Sequence, residues 1–340
     1  MAPQELYETA TAIVTAHKGI LAADESTGTI KKRFDSIGAE STEESRRAYR
    51  NLLFTTIGME EHIGGVILYD ETIRQTSDDG TPLAELLAAK GVVPGIKVDT
   101  GAHDLAGRPG EKVTEGLDGL RARLEQYVTL GARFAKWRAV ITIGDGIPTD
   151  ACIRANAHAL ARYAALCQEA GLVPIVEPEV LMDADNSIEA CDEVTSRTLH
   201  ATYDELFTQG VDLRGTLLKP NMVIAGKGCQ VQDPPDRVAE LTVACLRRHV
   251  PAEVPGIVFL SGGQSELQAT ENLDAINRAG GPWPLSFSYG RALQASALQA
   301  WQGEPANVEA AQAAFLHRAR MNSRAAAGSW GAELEQTVPA

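Results

Sequence analysis

Eight short segments rich in β-branched and other apolar residues recur along this chain, and their number and spacing constrain the fold more than any other feature. Their first residues lie about 28 to 45 positions apart, a spacing typical of β-α units rather than of hairpins. The segments cover residues 19–26, 64–72, 92–99, 132–140, 172–180, 215–223, 256–262 and 284–289. Eight such units in one chain of 340 residues predict an α/β fold, a single closed (β/α)8 barrel of the TIM-barrel type.

The stretches between these segments carry the apolar periodicity of amphipathic helices. In residues 115–130 the apolar positions fall on one helical face: Leu117, Leu120, Leu124 and Tyr127. Further helices are predicted at residues 148–169, 234–248 and 291–301. A doubly wound sheet is the alternative, but that fold usually has fewer strands and often a glycine-rich first turn, which this sequence lacks.

One domain is predicted, because no linker-like, low-complexity or repeated stretch divides the chain. We expect the catalytic domain at residues 1–327, with an extra N-terminal helix at 3–18 and a long helical segment at 308–327. A polar, flexible C-terminal tail is expected at residues 328–340.

Composition and charge exclude several classes of function. The net charge of −14 and a pI of about 5.0 argue against a surface that binds nucleic acid or anionic membranes. No apolar run is long enough to span a bilayer, and the N-terminus lacks the basic and apolar regions of a cleaved signal. We therefore expect a cytoplasmic protein with a small-molecule substrate, which can still be anionic where basic groups converge.

The cysteines and histidines form no recognisable metal-binding motif. The five cysteines are odd in number and widely spaced, which is typical of reduced thiols. His249 follows Cys245 by four residues, but no second pair of ligand types completes a zinc pattern. The sequence therefore proposes no metal site and no cofactor.

Charged residues interrupt the apolar segments near their carboxyl ends. The side chains concerned, in chain order, are Asp24, Lys97, Lys136, Arg138, Glu177, Glu179 and Lys219. Any one of them could belong to a structural ion pair. Because the carboxyl ends of all barrel strands meet at one mouth, where barrel enzymes carry their chemistry, the set predicts an active site.

The types of residue in this set indicate carbonyl chemistry. Burial favours the neutral amine of a lysine, so Lys219 could form an iminium with a ketone, although a lysine at a strand end can also extend into water. Two carboxylates on one strand can differ in protonation, so that one serves as an acid, and Asp24 is a separate candidate base. Glycine-rich residues 261–263 and 290–291 follow the last two strands, where such barrels bind phosphate through backbone amides.

Several of these stretches together closely resemble class I fructose-bisphosphate aldolases, in the right order from about residue 5 to about residue 324. They are residues 20–28 (ILAADESTG), 95–99 (GIKVD), 134–138 (FAKWR), 176–179 (VEPE), 215–222 (GTLLKPNM), 260–265 (LSGGQS) and 287–294 (FSYGRALQ). The resemblance implies a metal-free Schiff-base enzyme of glycolysis and gluconeogenesis, commonly a homotetramer. Its reaction would be the reversible cleavage of fructose 1,6-bisphosphate to dihydroxyacetone phosphate and glyceraldehyde 3-phosphate.

The same resemblance implies a role for each catalytic residue. Lys219 matches the iminium-forming lysine, and Glu177 matches the acid that moves protons while the carbinolamine forms and loses water. Asp24 matches the base that takes the proton of the fourth-carbon hydroxyl. Lys136 matches the lysine that orients this cluster, with Glu179 as its carboxylate neighbour.

The resemblance also implies the substrate-binding residues. The first-carbon phosphate would be bound by Ser261, Gly262, Gly290 and Arg291. The other end of the substrate would be contacted by Ser26, Lys97 and Arg138, with Arg33 as a further phosphate partner.

One departure from the family leaves alternatives open. The best-known animal members end in a tyrosine that assists proton transfer, whereas the last tyrosine here is Tyr289. The role of the tail and the preference between bisphosphorylated and monophosphorylated ketoses therefore stay open. Two rival functions are another Schiff-base barrel lyase or transaldolase, which needs only one phosphate site, and a scaffold protein without turnover.

Overall fold

Eight parallel strands form a closed barrel in the computed structural model, which describes residues 3–336. The barrel strands are β1 (Gly19–Ala22), β2 (Ile63–Leu68), β3 (Val93–Lys97), β6 (Phe134–Ile141), β7 (Val173–Val180), β8 (Leu217–Leu218), β9 (Ile257–Phe259) and β10 (Leu285–Tyr289). Pairing of Ile20 with Ser288 joins the first strand to the last and closes the ring. The predicted (β/α)8 barrel is thus confirmed and the doubly wound alternative is wrong.

Helices surround the barrel, and most of them start at a residue suited to a helix N-terminus. Their bounds are α1 (Pro3–Val14), α2 (Thr27–Asp35), α3 (Glu43–Thr55), α4 (Asp70–Ile73), α5 (Leu83–Ala89), α6 (Leu120–Thr129), α7 (Asp150–Glu169), α8 (Ile188–Thr208), α9 (Pro235–His249), α10 (Glu266–Ala279), α11 (Arg291–Trp301) and α12 (Val308–Ala326). A serine or threonine oxygen accepts a backbone N–H at the start of several: Ser26, Thr42, Thr149, Ser187 and Ser265.

A two-stranded antiparallel hairpin, β4 (Gly101–Asp104) and β5 (Lys112–Glu115), follows β3 and was not predicted. It shortens the predicted helix at 115–130, because β5 takes up Glu115 and α6 begins only at Leu120. The intervening Gly116 and Gly119 have φ angles of 125° and 68°, which are unsuited to a right-handed helix. The hairpin lies beside the carboxyl-terminal mouth of the barrel.

The N-terminal helix closes the opposite end of the barrel. Its apolar residues pack against inward-facing side chains such as Ile20, Phe134 and Leu217. The approach is close: a Cβ atom on Gly64 would lie 2.1 Å from the carbonyl oxygen of Ile13. A glycine is therefore required there, because a side chain would collide with the backbone of α1.

The two chain ends depart in detail from the predicted bounds. The predicted N-terminal helix at 3–18 is helical to Val14 and continues as a tighter 3-10 turn at Thr15–His17. After α12, residues 328–336 turn back onto the body, where the Trp330 amide donates to Asp274 Oδ1 at 2.9 Å. The boundary of a flexible tail at residue 328 stays a prediction, and residues 337–340 lie outside the described residues.

No helix within residues 3–336 is both long enough and apolar enough to cross a membrane.

Candidate active site

A cavity of about 900 Å³ opens at the carboxyl ends of the barrel strands. Its lining contains every residue that the sequence nominated for catalysis or substrate binding. They are Asp24, Ser26, Arg33, Lys97, Lys136, Arg138, Glu177, Glu179, Lys219, Ser261, Gly262, Gly290 and Arg291. Residues drawn from seven of the eight barrel strands and the connections that follow them thus meet in one place.

Lys219 directly follows β8 in the barrel wall, where it is hydrogen-bonded to β7. Pro220 has no N–H and ends the regular pairing of β8, but the backbone N–H of Lys219 still donates to Val176 at 2.8 Å. The lysine side chain is 5% exposed, and its Nζ lies 3.2 Å from Glu177 Oε1. A buried ammonium needs such a partner, and the same geometry places an acid beside the nitrogen.

Lys136 links the two carboxylates of the cluster. Its Nζ lies 2.7 Å from Asp24 Oδ2 and 3.6 Å from Glu177 Oε2. The side chains of Lys136 and Glu177 are both almost completely buried. Glu177 therefore sits between the ammonium groups of Lys136 and Lys219, and its Oε2 has no hydrogen-bond partner among the described residues.

Two opposing effects, burial and the charges of neighbouring groups, set the protonation of this cluster. Burial alone would raise the pKa of Asp24, but the ammonium groups of Lys136 and Lys219 hold that pKa well below its usual range. Burial opposes the charge of Lys136 too, yet the carboxylates of Asp24 and Glu177 raise its pKa above the usual value. Asp24 is therefore ionised at neutral pH and free to accept a proton.

Two further ion pairs line the side of the cavity near β3 and β6. Arg138 Nε donates to Glu179 Oε2, and although burial opposes its charge, Glu179 raises the pKa of the guanidinium. Lys97 Nζ lies 2.8 Å from Asp99 Oδ1. Both cations therefore face the cavity with one carboxylate partner each.

Glycines and cations converge on the opposite side of the cavity. Gly262 and Gly263 have φ angles of 58° and 91°, a left-handed pair that leaves backbone groups accessible. A Cβ atom on Gly263 would lie 2.5 Å from Lys227 Nζ and 3.7 Å from Arg291 Nη2. Arg291 also begins α11, so the positive end of that helix dipole faces the same space.

Arg33 approaches this side through a buried polar network. A Cβ atom on Gly290 would lie 3.5 Å from Arg33 Nη2. Arg33 pairs with the carboxylate of Glu25, which also accepts hydrogen bonds from Arg50 and Gln294. Glu25 thus holds Arg33 in position, and Arg33 lines the cavity.

Ser26 has a structural role as well as a place in the lining. Its Oγ accepts the backbone N–H of Thr29 at 3.4 Å and so caps α2. The same hydroxyl lies 3.1 Å from Thr29 Oγ1.

Among the cavity residues that sequence reasoning did not nominate, three polar ones bear on the site. Asp99 holds Lys97, and its i, i+2 spacing from that residue was a usable signal. Ser288 has a buried hydroxyl without a partner in the described part of the chain. Lys227, which pairs with Asp183 at 2.7 Å, comes from the loop after β8 and follows no motif.

Comparison with known proteins gives a consistent set of relatives. A family model described as fructose-bisphosphate aldolase class-I matches residues 5–339. A probable fructose-bisphosphate aldolase class 1 from Xanthomonas campestris is 59% identical over 332 residues, which is 97% of this chain and 99% of the relative. Cytosolic fructose-bisphosphate aldolase 4 from Arabidopsis thaliana is 54% identical and covers 97% of this chain and 85% of its own.

A solved structure agrees with the fold. Fructose-bisphosphate aldolase from Plasmodium falciparum, crystallised with TRAP and a small-molecule inhibitor, superposes with a TM-score of 0.95 at 52% identity. The match covers 96% of this chain and 95% of that one.

Proposed function

This chain belongs to the class I fructose-bisphosphate aldolase family, and from that premise we propose which catalytic step each side chain of its cavity performs. The family cleaves fructose 1,6-bisphosphate reversibly in glycolysis, through a lysine Schiff base and without a metal ion. The assignment of individual residues is our proposal. The observation that carries it is the buried chain of contacts from Lys219 through Glu177 and Lys136 to Asp24.

Lys219 attacks the second carbon of the ketose in its neutral form. The nitrogen lone pair forms the C–N bond while the carbonyl electrons move to oxygen, and a proton then passes from nitrogen to that oxygen to give a neutral carbinolamine. Glu177, 3.2 Å from Nζ, then delivers a proton to the departing hydroxyl, which leaves as water. The product is an iminium that keeps one positive charge at the place where the ammonium stood.

Asp24 starts the bond cleavage. It accepts the proton of the fourth-carbon hydroxyl, the aldehyde carbonyl forms, and the bond between the third and fourth carbons breaks. The electron pair moves into the iminium, which becomes a neutral enamine. The ion pair of Asp24 with Lys136 at 2.7 Å supports this role, because it keeps the carboxylate ionised beforehand.

The enamine is then protonated at the third carbon, and water releases the second product. We assign this proton transfer to Glu177, once it has regained a proton from water, since its Oε2 makes no hydrogen bond within the described residues and lies in the same cluster. Lys136 forms ion pairs with both Glu177 and Asp24 and so orients them, and Glu179 orients Arg138 in the same way.

Two separate groups of cations favour a substrate with a phosphate at each end. Arg291, Lys227 and Arg33 surround the glycine-rich side, which we assign to the first-carbon phosphate. Lys97 and Arg138 occupy the other side, which we assign with Ser26 to the far end of the substrate. A transaldolase or monophosphate lyase would need only the first group.

Membership of the family is the only support for the inferences on assembly and location. We infer a homo-oligomer, a tetramer by resemblance, and a cytoplasmic enzyme, as the name of the Arabidopsis relative states for that protein. Nucleic acid is not expected as a partner, given the net charge of −14.

The experiment is steady-state kinetics after exhaustive dialysis against EDTA, with fructose 1,6-bisphosphate and fructose 1-phosphate compared. We expect full activity after dialysis and a higher kcat/KM for the bisphosphate. Replacement Lys219→Met should abolish cleavage, while Lys90→Met, a half-buried lysine outside the cavity, should retain it. Activity that needs added zinc, or equal use of both ketoses, would contradict the proposal.

A further inference from the structure

A second cavity, of about 650 Å³, lies at the end of the barrel opposite to the active site. It is bounded by the turn Thr15–His17 before β1, the turn Met59–Glu61 before β2, and the last turns of α12. The N–H of Gly19 donates to the carbonyl of His62 at 3.0 Å, which ties the first two of these boundaries together. The reaction described above uses none of its residues.

The charge lining this cavity is positive on balance, in a protein with a net charge of −14. Arg320 and Arg324 stand one turn apart on the same face of α12, where two like charges repel each other. Neither guanidinium has a hydrogen bond or an ion pair within residues 3–336. Glu61 is the carboxylate in the lining, against these two arginines and three histidines, His17, His62 and His317.

His62 lines the same cavity and carries an unsatisfied buried nitrogen. Its Nδ1 is buried and has no hydrogen-bond partner among the described residues. Burial lowers the pKa of this imidazole, and although Glu61 opposes the shift, Arg320 and Arg324 lower the pKa further. An anion in the cavity would relieve the repulsion between the arginines and stabilise a protonated His62.

The backbone at the rim is strained. Ala16 and His17 have φ angles of 57° and 61°, in the left-handed region that side chains other than glycine rarely adopt. Such strain persists where surrounding contacts enforce it, and it concentrates at functional sites. A hydrogen bond from Nδ1 to the carbonyl of Ala326 at 3.2 Å holds His17 and leaves its Nε2 without a partner among residues 3–336.

We propose that this cavity, defined by His17, His62, Arg320 and Arg324, binds a small phosphate-bearing anion. Arginines recognise phosphate through paired N–H donors, and the N–H groups of the imidazoles add further donors. His317 is already engaged by Glu335 at 3.0 Å and contributes less. The volume exceeds that of a single phosphate, so the class of ligand is a diphosphate or a phosphorylated metabolite rather than orthophosphate alone. The proposal does not depend on the assignment of catalytic residues.

Histidine resonances give a readout that is specific to this cavity. The chain has seven histidines, and the active-site lining includes none among the described residues. Protein labelled with ¹³C at histidine Cε1 would be titrated with pyrophosphate, and separately with orthophosphate, at constant pH and ionic strength. We expect His17 and His62 to shift and saturate with pyrophosphate, more tightly than with orthophosphate, while His103, His158, His200 and His249 stay unchanged.

A double variant and a matched control complete the test. Arg320→Gln with Arg324→Gln should weaken pyrophosphate binding at least tenfold. Arg154→Gln with Arg162→Gln makes the same change of charge on α7, at exposed arginines that form no ion pair in the described part of the chain, and should bind as the native protein does. Unchanged cleavage activity would show that both variants are folded. The proposal fails if His17 and His62 do not shift, if all seven histidines shift alike, or if both double variants bind equally.

Discussion

Replacing Lys136 by methionine removes the ammonium that two buried carboxylates share, with little change in side-chain length. At the observed separations of 2.7 Å from Asp24 and 3.6 Å from Glu177, the gross attractions are about 6 and about 5 kcal/mol for an effective dielectric constant of about 20. The cost of burying the ammonium offsets much of this sum. Removing one partner of a buried pair typically destabilises by about 3–5 kcal/mol, which is the loss expected at pH 7.

The loss should depend on pH in a direction that Asp24 fixes. In the native protein the pKa of Asp24 is lowered, so its contribution to stability is present above the ordinary value of about 3.9 and is lost only as pH falls through the lower folded value. Without Lys136, burial raises the pKa of Asp24 against weaker opposition. The carboxyl group then takes up a proton at higher pH, and the deficit relative to the native protein should shrink as pH falls from 7 toward 4.

The assay is denaturant unfolding at several pH values, together with cleavage of fructose 1,6-bisphosphate. Turnover of the variant should fall at least about 10²-fold, as expected when proton transfer loses its positioned groups. Lys90→Met is the control, since Lys90 donates to the Thr56 carbonyl at 2.8 Å and should cost about 1–2 kcal/mol. Equal losses for the two variants, or a deficit for Lys136→Met that does not change with pH, would refute the reasoning.

Three further predictions concern the phosphate side and the C-terminus. Arg291→Ala should lower kcat/KM for fructose 1,6-bisphosphate, which corresponds to a loss of about 2–4 kcal/mol in transition-state binding. Unchanged kinetics would place the phosphate elsewhere. Lys227→Met should raise KM for this substrate by roughly tenfold, the loss of one charge-assisted hydrogen bond, with a smaller effect on kcat. Truncation after Gly328 should lower the rate of cleavage by less than about tenfold. It should also reduce the melting temperature, because the pair of Glu335 with Arg318 at 2.5 Å is lost. A hundredfold fall in the rate of cleavage would assign the tail a catalytic group.

The barrel and most of its mouth could be predicted because their signals are local. Each strand is an apolar run of fixed period, and charged residues such as Lys219 and Glu177 stand out against it. The hairpin of β4 and β5 could not be predicted in this way, since its short strands are mostly polar and partly exposed. Its signal was instead the glycine pair Gly116 and Gly119, which prevents a helix from starting at Glu115.

Contacts between distant loops could not be predicted from the sequence. Lys227 reaches the phosphate side only because its loop folds back onto residues 182–186, where its N–H donates to Met182 and the Gly228 N–H donates to Ala184. The network that positions Arg33 joins Glu25, Arg50 and Gln294 across most of the chain. No spacing rule connects such residues, so their side chains could be assigned only once the barrel had brought them together.

Reduction with borohydride in the presence of dihydroxyacetone phosphate, followed by peptide mass spectrometry, tests most directly the claim that Lys219 forms the iminium. We predict irreversible inactivation with one adduct, on Lys219, in the native protein and in Lys90→Met, and no adduct in a folded Lys219→Met variant. An adduct on Lys97 or Lys136, or inactivation without any adduct on a lysine of the cavity, would contradict it.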